Sequence, residues 1–407
     1  MTSDLTSADP TSPDTPPLDV ARLRAETPGC AHVVHLNHAG ASLPPAVVTD
    51  AVVAHLRREQ TVGPYEAADA VADELEAVYG SVARLLGAAD DEIALVENAT
   101  RAWDLAFYSL PWQPGDRILT GVAEYASNYL AFLQVAGRYG VEVEVVPDDA
   151  TGAIDVEALD RAVDERTRLV ALTHVPTNGG LVNPAEAVGE VTRRHGVLYL
   201  LDACQSVGQL PVDVDRIGCD LLSATGRKFL RGPRGTGFLY ARRATTSGIV
   251  PVMIDLHAAT WTGRDAYEVR PDARRFESWE AGAAARLGLG VAVDYALAVG
   301  LPAIEARVGA LAEALRERLA AVPGVTVRDK GARRSGIVTF DVDGVPAVQV
   351  RDRLRAERVN TTITTRSSTW LDFEQRALPD LVRASVHYLT TEEELDVLAA
   401  HVARMTA

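Results

Sequence analysis

Short apolar segments alternate with helically spaced ones along most of this chain. Near-continuous apolar runs fall at residues 93–96, 117–121, 141–146, 168–173, 197–202, 221–224 and 235–240. The run Val197-Leu-Tyr-Leu-Leu201 offers no charged position to solvent, as expected of a strand covered on both faces of a parallel sheet. Between the runs, residues 71–86, 102–110, 129–139, 155–163 and 184–195 repeat apolar side chains at helical spacing. That order predicts an α/β architecture: a large, doubly wound domain over residues 43–290 with a mostly parallel sheet. Residues 287–297 and 303–321 then read as long Ala/Leu helices. The stretches 325–328, 336–342, 348–357 and 392–403 predict a smaller α+β C-terminal domain, residues 291–407. The first 20 residues are rich in Thr, Ser, Pro and Asp, without the basic start and apolar core of a signal peptide. They predict a disordered arm, followed by a separate N-terminal segment at 21–42.

Composition narrows the function classes. With 407 residues, 47% of them apolar, there is material for a large core. A net charge of −16 argues against a nucleic-acid or anionic-membrane surface, both of which demand clustered positive charge. No apolar run approaches the roughly 18–20 residues that span a bilayer. Cys30, Cys204 and Cys219 form no close pair, which excludes a disulfide framework or a CxxC metal site and points to the reducing cytoplasm. Of the 40 basic residues only Lys228 and Lys330 are lysines, so chemistry needing a lysine amine has two candidates.

Three features fall at the ends of predicted strands, where open α/β sheets bind ligands. In Glu97-Asn98-Ala99-Thr100, small and hydroxyl residues precede a helix, leaving backbone N–H groups either for an ordinary N-cap or for a phosphate. Asp202 closes the most apolar run, where a carboxylate is costly unless it meets a cation or backbone N–H groups. In Ser223-Ala-Thr225-Gly-Arg227-Lys228-Phe229, a hydroxyl, a guanidinium and an amine follow another apolar run. The glycines after it (Gly232, Gly235, Gly237) do not give the dinucleotide spacing. Lys330 lies in the polar turn Arg328-Asp-Lys-Gly-Ala-Arg-Arg334, away from all three features.

A phosphate cradle, a partner for a pyridinium nitrogen and a Schiff-base lysine are what pyridoxal 5'-phosphate needs from a protein. The order and spacing of Asp202-Ala-Cys-Gln-Ser, Thr-Gly-Arg-Lys228 and Gly-Thr-Gly-Phe-Leu-Tyr resemble the class V aminotransferase family, over about residues 35–402. That family includes cysteine desulfurases, isopenicillin-N-epimerase-like enzymes, kynureninases and cysteine C–S lyases. The resemblance implies the fold type I architecture of pyridoxal-phosphate enzymes. It also implies Lys228 as the Schiff-base lysine and later general base, Ala99 and Thr100 as the phosphate turn, and Thr225 and Arg227 as further phosphate ligands. Tyr125 takes the place of an aromatic ring stacked on the pyridine, where the family usually has His. Asp202 is implied as the pyridinium partner, Gln205 as donor to the ring oxygen, and Thr177 or Asn178 as a contact to ring or substrate. Arg383 resembles the arginine that clamps the substrate α-carboxylate, its plain alternative being a surface arginine on a strand. His38, in His35-Leu-Asn-His-Ala-Gly-Ala-Ser42, sits in the opening substrate loop, where it faces substrate or is satisfied by its own backbone. Residues 275–280 match a stretch through which one subunit of a homodimer reaches its partner's site, although Trp279 and Glu280 stand where Gly-Thr is frequent.

The reaction is less sharply marked. A cysteine desulfurase needs a thiolate on a C-terminal loop, and the corresponding segment here, residues 360–370, has no cysteine. The segments around Glu97, Thr177 and Arg383 resemble cysteine C–S lyases, and Gly63-Pro-Tyr-Glu-Ala-Ala resembles the hercynylcysteine sulfoxide lyases. The favoured expectation is therefore β-elimination from an amino acid or cysteine S-conjugate, giving pyruvate and ammonia. Transamination or epimerisation stands as the alternative, and an inactive binding protein on the same fold as a remote one. No metal, nucleic-acid or membrane partner is expected.

Overall fold

The computed structural model describes residues 18–406. The disordered arm expected over residues 1–20 thus lies outside the described residues as far as residue 17. Leu18 packs against the C-terminal core, and a short helix opens at Val20.

The apolar runs form a seven-stranded sheet: β1 (Ile93–Val96), β2 (Arg117–Gly121), β3 (Glu142–Val146), β4 (Thr167–Thr173), β5 (Leu198–Asp202), β6 (Leu221–Thr225) and β7 (Gly237–Ala241). Their order is β1-β7-β6-β5-β4-β2-β3. Every neighbouring pair is parallel except the two that involve β7. Side chains alternate between the faces, and both faces are covered. Tyr199, Leu201, Leu222 and Phe238 pack with Val82 of helix α1 (Ala72–Leu86), Val188 of α4 (Ala185–His195) and Leu289 of α5 (Ala283–Val299). Leu200, Leu221 and Leu239 face Trp103 and Phe107 of α2 (Ala99–Tyr108) and Phe132 of α3 (Ala126–Tyr139). Two-sided burial is why these strands read as continuous apolar runs in the sequence.

The C-terminal part builds a four-stranded antiparallel sheet, β8 (Val325–Val327), β9 (Ile337–Val342), β10 (Thr362–Thr364) and β11 (Leu381–Ser385), in the order β8-β9-β11-β10. Its core gathers Ile304, Leu311 and Leu315 of α6 (Leu301–Ala320), Val350 of α7 (Ala347–Ala356) and Leu395 and Leu398 of α8 (Glu392–Thr406). The N-terminal segment joins this region, because Val34 and His35 pair with Val359 and Asn360, and Asn37 bridges to Ser385. Among the described residues, no single helix is long and apolar enough to cross a membrane.

Local differences from the expected elements have local causes. Helix α2 begins at Ala99 rather than 102 because the Asn98 side chain accepts the Arg101 N–H and caps it. Strand β7 begins at Gly237 rather than 235. A Cβ there would stand 2.7 Å from the carbonyl carbon of Asn98 and 2.8 Å from the Ala224 oxygen, so glycine lets β7 lie against the capping turn. The exposed hairpin Ala259–Gly263 with Ala266–Val269 was not anticipated.

Candidate active site

Parallel strands end on one edge of the sheet, and that edge collects the expected residues. Helix α2 starts directly after β1, so the N–H groups of Ala99 and Thr100 sit at a ten-residue helix's N-terminus. Tyr125 occupies the N-cap position of α3 after β2 and is about one-third exposed. At the end of β5, the buried Asp202 accepts the Cys204 N–H at 2.9 Å and the Asn128 side-chain N–H at 3.0 Å. Gln205 donates to the Ala39 carbonyl at 3.1 Å, while its own amide oxygen is buried without a partner. At the end of β6, the Thr225 hydroxyl donates to the Thr236 carbonyl at 3.1 Å and accepts from Arg227 at 3.1 Å. The Ser42 N–H bonds the Arg227 carbonyl at 2.9 Å, which brings the N-terminal loop against the lysine turn.

Arg383, on β11 of the other sheet, reaches this edge. Its Nη1 donates to the Thr177 carbonyl at 3.0 Å and the Thr177 hydroxyl at 2.6 Å, while its Nε is buried without a partner. The side chain is buried, so the plain reading as a surface arginine does not hold. Burial pulls its guanidinium down to about 10. Burial likewise lowers the Lys228 ammonium pKa, Arg227 and Arg383 adding to the effect while Cys204 and Asp202 oppose it. Among the described residues, Arg227, Lys228 and Arg383 form no ion pair with any carboxylate, and neither does Asp202 with any cation. Two guanidiniums and an amine beside one carboxylate, with loose polar atoms on Gln205 and Arg383, fit a ligand bearing a dianionic phosphate, a protonated ring nitrogen and a carboxylate.

Other expected residues are placed differently. Asn178 is spent on the opposite side of its turn: its amide N–H donates to Asp372 at 3.2 Å and its oxygen accepts from the Thr369 hydroxyl at 2.8 Å. Thr177 is the member of that pair beside Gln205 and Arg383. His38 is buried, bonded through Nδ1 to the Ser42 hydroxyl at 2.9 Å and packed between the rings of His35 and His387. Burial and the neighbouring histidines hold it well below the usual imidazole range, hence neutral. Half of segment 275–280 is committed within its own chain. Arg275 donates to the carbonyls of Thr246, Ile249 and Arg270, and Glu277 accepts from Tyr79, the Leu95 N–H and Arg286. Only Trp279 and Glu280 remain well exposed, which narrows what a partner subunit could receive. The Lys330 side chain turns inward from its polar turn. Its amine lies 2.8 Å from Asp148 and 2.7 Å from Asp372, with little of the side chain exposed.

Glu124 and Asn128 were missed from sequence. Asn128 bridges Glu124, at 2.8 Å, to Asp202. Their only sequence signal is the i, i+4 spacing across the start of α3, which puts both on one face.

A lysine amine, a buried carboxylate and anion-binding groups on one sheet edge are of the kind that holds pyridoxal phosphate. The family model for Aminotransferase class-V matches residues 33–398. The chain belongs to that family and is a pyridoxal-phosphate-dependent enzyme. It is 30% identical to a cysteine desulfurase of Pectobacterium atrosepticum over 95% of this chain and 98% of that protein. To a probable cysteine desulfurase of Methanothermobacter thermautotrophicus it is 28% identical, over 92% and 95%. Among solved structures it resembles the cystine C–S lyase C-DES in complex with its reaction product cysteine persulfide, with a TM-score of 0.84, 26% identity and coverage of 93% and 99%. A cysteine desulfurase of Thermococcus onnurineus shares the fold, with a TM-score of 0.89 at 22% identity, covering 96% and 99%.

Proposed function

We propose that this protein is a C–S lyase acting on cysteine or a cysteine S-conjugate by β-elimination. In the overall change, the Cα proton leaves and the Cβ–S bond breaks with sulfur taking the electron pair. The three-carbon remainder takes up water to give pyruvate and ammonia. The observation that carries this choice is the 360–370 segment beside Arg383. Where a desulfurase needs a thiolate it has none, and its end is tied down by the buried Thr369 hydroxyl on Asn178. The chain's own thiols are elsewhere, and burial pushes all three up, away from thiolate. The likeness to a protein described as a cystine C–S lyase supports the same reading.

Bound pyridoxal phosphate supplies the electron sink that acidifies the α C–H of an amino acid. Lys228 would anchor it and carry the α-proton, its amine disposed toward the neutral form by burial. The N–H groups of Ala99 and Thr100, the Thr225 hydroxyl and the Arg227 fork would hold the phosphate. Asp202 would keep the ring nitrogen's proton, Tyr125 would cover the ring face, and Gln205 would donate to the ring oxygen by swinging its amide N–H from the Ala39 carbonyl. Thr177, whose hydroxyl accepts from Arg383, rather than Asn178, would meet ring or substrate. Arg383 would take the α-carboxylate through its unused Nε and remaining nitrogens, with His38 as a neutral contact from the opening loop. The exposed Leu256, Trp261, Tyr267 and Trp279, on and around the 259–269 hairpin, support a homodimer with Trp279 and Glu280 toward the partner. The free thiols support a cytoplasmic site.

The test is to incubate the cofactor-loaded protein with a panel of cysteine S-conjugates and, separately, with amino acid and keto acid pairs. Pyruvate and ammonia released in equal amounts are expected. A new amino acid formed from a keto acid, without pyruvate, would overturn the lyase in favour of transamination.

A further inference from the structure

Asn128 lies between two buried carboxylates. Its side-chain amide gives one hydrogen to Glu124 Oε1 at 2.8 Å and the other to Asp202 Oδ2 at 3.0 Å. A reversed amide would set its oxygen against two acceptors, so the orientation is dictated by the pair. Glu124 is buried with no cation among the described residues. Its Oε1 also accepts the Tyr125 N–H at 2.8 Å and the Thr173 hydroxyl, and its Oε2 accepts the Thr120 hydroxyl at 2.9 Å. Four donors aimed at one carboxyl group are a cradle for its ionised form.

We propose that Glu124 is a positioning residue for Asp202: through Asn128 it fixes the Asp202 carboxylate and places a second negative charge behind it. An amide already donating to an ionised Glu124 gives less to Asp202, and the like charge behind Asp202 favours a cation in front of it. Both strengthen the hold of Asp202 on a protonated nitrogen. The inference rests on the reading of Asp202 as partner of the cofactor's ring nitrogen. The titratable groups facing Glu124 are Asp202 across Asn128 and, across a small cavity lined by Ile154 and Asn183, Asp148, which pairs with Lys330. Burial raises the Glu124 carboxyl to about 7 against these hydrogen bonds, with Asp202 adding to the rise. The charge therefore switches near neutral pH.

Glu124→Gln tests this without altering shape. Its oxygen can keep the three donors on Oε1, and its N–H₂ can give to the Thr120 hydroxyl, which turns to accept. The readouts are the visible absorption band of the bound cofactor against pH and the apoprotein's affinity for pyridoxal phosphate by fluorescence quenching. The wild-type band should show a step near pH 7, which Glu124→Gln removes while weakening cofactor affinity roughly tenfold, the size of one pKa unit, with the fold retained by circular dichroism. Thr120→Val, which deletes one donor to Glu124 and touches neither Asn128 nor Asp202, should move the step upward. An unmoved step in Thr120→Val together with a wild-type profile in Glu124→Gln would overturn the proposal. Should Glu124→Gln fail to fold, the Thr120→Val shift alone decides. Asp202→Asn separates the two levels: if it leaves band and affinity unchanged, the reading of Asp202 itself fails, whatever Glu124 does.

Discussion

Lys228 and Lys330 are both drawn into the interior, yet their surroundings are opposite in kind. Lys330 lies between two carboxylates, Asp148 at 2.8 Å and Asp372 at 2.7 Å, and joins the 328–335 segment to both sheet regions. Lys228 sits at the edge of the large sheet with Arg227 and Arg383 for neighbours and no carboxylate bonded to its amine among the described residues. A buried amine bonded to two acids is tied into an ion-pair network and serves the structure. The same amine, desolvated by burial and bonded to no carboxylate, is biased toward the free base that chemistry requires, although Asp202 lies near enough to oppose the shift. Residue type alone does not assign the role, and the partners do.

Exchanging the roles should fail in different ways. Lys228→Ala should abolish the visible cofactor band and lower turnover by at least about 10²–10⁴-fold, the range of a lost general base, while leaving unfolding by urea little changed. Lys330→Met should do the reverse. It strands Asp148 and Asp372 without their cation, costing about 3–5 kcal/mol of stability in urea titrations, with the band retained. Loss of the band in Lys330→Met at intact fold would erase the contrast. Arg383→Ala should raise the Michaelis constant by the equivalent of roughly 2–5 kcal/mol, with Arg383→Lys restoring only part because it lacks the planar fork. A wild-type Michaelis constant in Arg383→Ala would reduce Arg383 to a brace for its sheet.

The smallest effect is in stability against pH. Glu124 titrates near 7 in the folded chain but near about 4.3 when unfolded. Between those values the folded state binds more protons, so this group makes stability fall as pH rises. The melting temperature of Glu124→Gln minus that of wild type should therefore grow from about pH 5 to pH 7 and level off above. A constant difference across that range would contradict a raised Glu124.

How much of this could be read in the chain follows from how local each feature is. Strands β1 to β7 were legible because two covered faces leave uninterrupted apolar runs, and Asp202 and Lys228 stood out because one ends such a run and the other lies in the turn just after one. The four-residue spacing of Glu124 and Asn128 is also local, yet an amphipathic helix start with a polar pair looks the same whether or not a buried acid lies opposite. The burial of Lys330 escaped for a stronger reason. Its neighbours in sequence are polar, and the acids that bury it come from distant segments, Asp148 being 182 positions away. Arg275 and Glu277 escaped likewise, their partners lying near Thr246 and at Tyr79 and Leu95. The hairpin at 259–269 pairs two short, largely exposed strands, so no apolar alternation announced it.

With two lysines in the chain, the central claim reduces to a choice between them. The cofactor-loaded protein is treated with borohydride, which makes a lysine-bound cofactor permanent, then digested and mapped by mass spectrometry. The account predicts a pyridoxyl group on the peptide containing Lys228 and an unmodified Lys330. A pyridoxyl group on Lys330, or on neither lysine in a protein that still binds the cofactor and turns over substrate, would contradict it.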